Sequence, residues 1–224
     1  PGDAVPLDRE IPSSAAKAVK EVPVVAIDSR KSVNAFLGYR HISGLKPWSP
    51  EAKARFIADE VDRKAQQDED GNPFSIVGRA FGSNATGMRN AYLAYRVLEH
   101  GRSEHKIKIS HVLNERFGVW SRCLNSKDIR GFIGLGAPLA YPDVRAAIEG
   151  LNSERLQNVI EDLTPHNGTP PVLADSRDIT YYGQVLSSPE ALKVLRSTGS
   201  LSAAKVLILD LELATRVHRM AEQA

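Results

Sequence analysis

Cysteine is almost absent: Cys123 stands alone in 224 residues. No disulfide can therefore close within these residues, and the composition suits a reducing cytosol. No local motif marks the Cys123 thiol as a nucleophile, so buried filler is its expected role. Long apolar runs are missing too, and nothing approaches the roughly eighteen residues that a membrane span needs. The opening "PGDAVPLDREIPSS" lacks a basic segment followed by an apolar one, so no signal peptide is expected. Catalytic sets are equally scarce. No Ser/His/Asp or Cys/His constellation presents itself, and no catalytic residue is assigned. His100, His105 and His111 lie near one another with Cys123 beyond, but their spacing does not match paired zinc ligands, and no metal site is assigned.

What remains is ordinary for a soluble globular protein: 42% hydrophobic and 25% charged residues, with a formal net charge of +2. The charge is unevenly spread. Residues 72–111 carry six Lys or Arg against Glu99 and Glu104, whereas 51–70 hold seven acids against four bases. Residues 143–178 are acidic as well, with seven acids and three arginines. A local positive excess points to a polyanion, although a solvated helical face gives the same pattern.

Periodicity makes the chain mainly α. "EVPVVAID" reads as a strand over Pro23–Asp28, and a helix is expected over 29–42. "SPEAKARFIADEVDRKAQQDED" begins with Ser49 as cap, Pro50 in the first turn and Glu51 at the positive helix end, and is expected to stop at Gly71. Short helices are expected near 109–117, 119–124 and 127–133, then a loop "GLGAPLAYP". Further helices follow at "PDVRAAIEGL", "SERLQNVIEDL", "SRDITYYGQVL", "SPEALKVLRS" and "SLSAAKVLILDLELATRVHRMAEQ". Ser188-Pro189-Glu190 repeats the Ser49-Pro50-Glu51 capping grammar. On the last helix Leu201, Ala204, Ile208 and Leu211 form a stripe, widened by Leu207, Ala214 and Val217, that could dock on its own core or serve a homodimer. In "DSRD" the expected roles are capping by Asp175 or Ser176 and a surface pair between Asp178 and Arg177. Trp48 and Trp120 read as core or hinge anchors.

The stretch "FSIVGRAFGSNATGMRNAYLAYRVL", 74–98, reads as two helices meeting at a fixed angle. A DNA-binding helix-turn-helix needs a small residue where the second helix crosses the first, and Gly78 supplies it. Val77 and Phe81 face inward. Gly82 falls at the turn, where positive φ is free to glycine and costs other residues roughly 1–2 kcal/mol. The second helix starts near Ala85, with Met88, Ala91 and Leu93 toward the core. That leaves Ser83, Asn84, Thr86, Arg89 and Asn90 on the outer edge, which enters the major groove in this motif. Arginine can bond guanine O6 and N7 together, and asparagine can pair with adenine. Arg79, Arg96 and Arg102 are expected on the phosphate backbone. A plain helical hairpin with solvated polar residues is the competing reading, and Gly87 inside the second helix favours it.

The run "VPVVAIDSRKSVNAFLGYRHISGLKPWSPEAKARFI", followed by that unit, resembles the second half of a ParB-like protein with a ParB/sulfiredoxin-type N-terminal domain. Pro23–Asp28, Arg40–Ser43 and Trp48–Lys53 match the family's order of strand, polar box and helix start, and the resemblance covers about Val22 to Leu98. It implies that 1–45 is the rear remnant of the N-terminal domain, 46–136 the helix-turn-helix domain and 137–224 a C-terminal helical region, with the front of the first domain lying upstream. "VLADSRDITYYGQVLSSPEALKVLRSTGSL" is similar to the C-terminal part of some ParB-like chains. The resemblance further implies double-stranded DNA as partner, a nucleoid-associated place in the cytoplasm, no membrane, and a part in plasmid or chromosome partition or in transcription regulation. Family members bind CTP chiefly through a Gly-x-Arg-Arg box upstream of this strand. Their second box is usually Glu-Asn-x-Gln-Arg, where this chain has "YRHIS", leaving Arg40 and His41 as nucleotide candidates. Two alternatives stand beside this reading: a CTPase or nuclease whose active part lies upstream, and a helical interaction module of a mobile element or defence locus.

Overall fold

The computed structural model describes Val33 and residues 48–67, 71–138 and 140–222. The expected strand at 23–28, the helix at 29–42, and Arg40 and His41 lie outside the described residues, apart from Val33, which is helical. Among the described residues there is no strand, and one isolated antiparallel bridge joins His166 to Thr169. The chain divides into two compact units, 1–34 and 35–224, and every helix from Pro50 onward belongs to the second.

Helix α1 (Pro50–Gln66) starts as its sequence dictates. The Ser49 hydroxyl accepts the Ala52 N–H at 3.2 Å, and Pro50 occupies a position whose N–H would have no intrahelical partner. Ala54, Ile57, Ala58 and Val61 recur at three- and four-residue spacing and are buried. The helix stops at Gln66, short of Gly71, because the Gln67 N–H closes the last turn on the Lys64 carbonyl.

Next come α2 (Pro73–Ala80), capped by Asn72, and α3 (Ala85–His105), a 21-residue helix that forms the axis of the fold. From Tyr92 to Leu98 nearly every α3 side chain is buried, the signature of a helix covered on several faces. Helices α1, α2, α5 (Phe117–Cys123), α7 (Tyr141–Glu149) and α8 (Ser153–Asp162) all contact it. Trp120 of α5 is fully buried, and its indole N–H donates to the Ala94 carbonyl at 2.7 Å. Between α3 and α5 lies α4 (Ser110–Glu115), and Arg116 marks the break between α4 and α5. The Arg116 guanidinium donates to the carbonyls of Leu173 and Ala174 at 2.6 and 2.9 Å.

A second group of helices completes the body. Helix α6 (Lys127–Phe132) packs on α9 (Ile179–Ser187), and α9 also contacts α10 (Pro189–Thr198) and α11 (Leu201–Glu222). A 3-10 turn over Ser176–Asp178 leads into α9. At its centre Asp162, 4% exposed, accepts from the Tyr182 hydroxyl and from Arg196, both at 2.7 Å. The boundary expected at 136/137 is not a break in the packing. One hydrophobic cluster runs from Ala54 to Ile208, and Tyr141, beyond that point, packs on Phe74 and Tyr92. An α7 without that contact would leave its own apolar face in water, which is why the two segments share a core.

Candidate nucleic-acid interface

The turn between α2 and α3 is built by glycine chemistry. Gly82 has φ +64°, and the Ser83 N–H reaches back to the Gly78 carbonyl at 2.8 Å while the Gly82 N–H faces the Arg79 carbonyl at 3.4 Å. This is the Schellman arrangement for closing a helix, with glycine in the left-handed position. A Cβ on Gly78 would lie 3.0 Å from the Asn84 carbonyl carbon and 3.3 Å from the Ala85 nitrogen, so the second helix begins directly on the first. Asn84 then caps α3, its side-chain oxygen accepting the Gly87 N–H at 2.8 Å. Gly87 therefore sits in the first turn rather than mid-helix. Phe81 closes the turn from within, 2% exposed and 5.4 Å from the Phe56 ring.

The outer edge is only partly as expected. Ser83, Asn84 and Thr86 are exposed, and Arg79 is exposed at the end of α2. Met88 and Leu93 are buried and Ala91 half-buried, as the core-facing assignment requires. Arg89 and Asn90 are half-buried, on the flank of the edge rather than its crest. Asn90 donates to the Asn125 side chain at 3.0 Å, while Arg79 and Arg89 make no described hydrogen bond or ion pair. Arg102 is exposed, with a loose 3.6 Å pair to Glu99.

Arg96 is different. Its guanidinium meets Asp59 at 2.8 Å, Asp62 at 2.7 Å and also Glu99, and it lies near the rings of Tyr92 and Tyr95. Burial opposes its charge, but the Asp62, Glu99 and Asp59 carboxylates outweigh burial and hold it firmly protonated. The expected place on the phosphate backbone competes with these contacts, because both terminal guanidinium nitrogens are already paired with carboxylates.

The same carboxylates form a cluster that sequence reasoning missed. Asp62 Oδ1 accepts from Tyr92 at 2.7 Å and Tyr141 at 2.6 Å, on the wall of a 310 Å³ cavity also lined by Arg96, Glu99, His100, Arg145, Ile148 and Glu149. Burial and then the Asp62 hydrogen bond raise both tyrosine pKa values above the ordinary phenol, that of Tyr92 well above it, so both keep their protons. The partners are 30 and 79 residues away from Asp62 in sequence, and no local pattern signals them. His100 Nε2 and Arg96 Nε are buried without a hydrogen-bond partner, and the His100 and His105 rings pack edge to face at 5.1 Å.

No protein-family model, curated protein or solved structure matches this chain. Its candidate sites therefore rest on their own geometry. In "DSRD" the pairing differs from expectation: Arg177 binds Asp175, at 2.6 Å, which also caps the 3-10 turn, while Asp178 faces Lys205 at 3.4 Å. Hydrogen bonds from Arg177, through its side chain and then its backbone, lower the Asp175 pKa to about 2. Cys123 is fully buried, and burial raises its thiol to about 12, which suits packing rather than nucleophilic attack. No helix among the described residues is long and apolar enough to cross a membrane.

Proposed function

We propose that the chain binds double-stranded DNA through α2 and α3, acting as the helix-turn-helix of a ParB-like protein in partition or transcription regulation. The observation that carries the reading is the glycine-built crossing at Gly78 and Gly82, which sets Ser83, Asn84 and Thr86 on an exposed edge at the start of α3. Arg79 and Arg89 flank that edge without carboxylate partners among the described residues, so neither must break a described ion pair to reach a phosphate or a base. Their roles differ. Arg89, in the second turn of α3, reads a base edge, and Arg79 and Arg102 hold the backbone. The proposal includes a homodimer and a nucleoid-associated protein.

Binding to a random duplex library at two salt concentrations tests the reading. Arg89→Ala is expected to flatten base preference, at a cost of about 1–3 kcal/mol on the preferred sequence. Arg79→Ala is expected to weaken all sequences alike and to lower the log–log salt slope by about 0.9. Unchanged affinity and slope in both variants would remove the proposal. Weak binding that vanishes at modest salt with no base preference would favour a helical interaction module instead.

A further inference from the structure

Asn90 and Asn125 are 35 residues apart in sequence, yet the Asn90 amide N–H donates to the Asn125 side-chain oxygen at 3.0 Å. Stability gives little reason for the bond. Asn125 is exposed and Asn90 half-buried, and water replaces a hydrogen bond at such a site at small cost. Nor is the bond needed to seat α5 on α3. Trp120, fully buried, already does so through the Ala94 carbonyl at 2.7 Å. Asn125 itself stands on a firm base. It lies in the corner between α5 and α6, its backbone N–H on the Arg122 carbonyl at 3.0 Å, directly after the buried Cys123 and Leu124. A fixed corner thus holds the tip of one side chain on the flank of the α3 edge.

The place of Asn90 on the helix gives the bond a use. A helical side chain leans toward the N-terminus, over the residues three and four positions before it. For Asn90 these are Gly87 and Thr86. Gly87 has no side chain to fill that space, and the atoms nearest to the Cβ it lacks are Ser83 Oγ and Asn84 Oδ1, at 3.3 and 3.5 Å. The way from Asn90 to the exposed Ser83–Thr86 edge is therefore open. We infer that Asn125 is a positioning residue that holds Asn90 ready to read adenine, an inference that rests on the DNA-binding role of α2 and α3. An amide nitrogen carries two hydrogens. Asn125 takes one, and the other, with the Asn90 oxygen, remains for N7 and the N6 amino group of adenine. A side chain that must be ordered as it binds loses about 2–10-fold in affinity. Asn125 removes that loss by ordering the amide before DNA arrives.

Selection from a random duplex library at one fixed salt concentration tests this with the full chain. Asn90→Ala is expected to erase an adenine preference at one base position. Asn125→Ala should weaken the preference at that same position about 2–10-fold, leaving the other positions, the urea midpoint and the helical signal unchanged. Asn125→Asp keeps an oxygen acceptor for the Asn90 N–H, so it should retain the preference while its charge weakens all duplexes alike. The double alanine variant should match Asn90→Ala. If Asn125→Ala lowers the urea midpoint and weakens every sequence equally, the bond is a clamp between helices and the inference falls. It falls too if Asn90→Ala erases a preference that Asn125→Ala leaves intact, or if Asn90→Ala changes no preference. In both cases base selection by Arg89 would leave the DNA reading standing. No duplex binding by the unsubstituted chain would remove that reading and this inference together.

Discussion

Arg96→Ala separates a structural arginine from a DNA contact. The side chain is 21% exposed and faces Asp62 and Glu99, themselves 19% and 28% exposed, and Asp59, 61% exposed. Removing one partner of a fully buried pair costs about 3–5 kcal/mol, whereas an exposed pair is worth about 0.2–1 kcal/mol. The Arg96 cage lies between these limits. Asp59 belongs with the exposed class. Asp62 keeps its two tyrosine donors, so it is not stranded when the guanidinium goes. The expected loss is about 2–3 kcal/mol, since two part-buried carboxylates lose their cation. Urea unfolding followed by helical signal reads this as a midpoint shift of roughly 1 M, with slopes of about 1–3 kcal/mol/M. Adding Asp62→Asn to Arg96→Ala removes one of the uncompensated charges and should recover part of the loss. A stability loss below about 0.5 kcal/mol, with a DNA salt slope shallower by about 0.9, would refute this account and return Arg96 to the phosphate backbone.

Other perturbations probe the turn, the pH response and the second polar centre. Gly82→Val places a β-branched residue at φ +64° and should cost at least about 1–2 kcal/mol by urea unfolding; an unchanged midpoint would mean the turn is not held in this conformation. Burial and then Glu99 raise Tyr95 from 10.0 to about 12, and burial raises Cys123 from 9.0 to about 12. Both groups therefore stabilise the fold fully below their unfolded values and lose that contribution as pH rises toward 12. Stability measured from pH 8 to 11 should fall, and Cys123→Ala should flatten the portion that begins near 9.0; identical profiles would exclude the thiol as its source. Asp162→Ala strands the buried Tyr182 hydroxyl and takes the carboxylate from Arg196, for an expected loss of about 2–4 kcal/mol. Tyr182→Phe in that background should cost less than it does alone, because the hydroxyl has already lost its acceptor.

The helices were legible where their causes are local. Ser49-Pro50-Glu51 and Ser188-Pro189-Glu190 both start helices, and in each the serine oxygen accepts the N–H three residues on, at 3.2 and 3.4 Å. Gly82 was legible too, because positive φ selects against side chains within a single residue. Lys106 was not: it ends α3 at φ 58° without being glycine, so composition gives no signal. The Arg177 partner was misassigned between two flanking aspartates because Asp175, as the cap, is the one that the turn brings into reach. Arg96 exposes the general limit. Its neighbour Glu99 is visible at i+3, but Asp59 and Asp62 come from α1, and only packing of α1 on α3 discloses that the guanidinium is already engaged.

The cavity beside Asp62 is better understood as a joint than as a reaction centre. A general base needs an oxygen free to take a proton, yet Asp62 already receives two phenols and a guanidinium, and its neighbours are held in the protonation states that give those bonds. What the cluster does accomplish is to lock three helices in one arrangement: α1 through Asp62, α3 through Tyr92 and Arg96, and α7 through Tyr141. Asp162 repeats the device for α8, α9 and α10 through Tyr182 and Arg196. An apolar core tolerates small slips between helices, but a carboxylate whose acceptor sites are filled by fixed donors does not. Tyr141→Phe removes one of the two phenol donors to Asp62 and should cost about 0.5–1.5 kcal/mol by urea unfolding; if α2 and α3 bind DNA as proposed, a change in affinity larger than that loss would show that this joint also positions the Ser83–Thr86 edge.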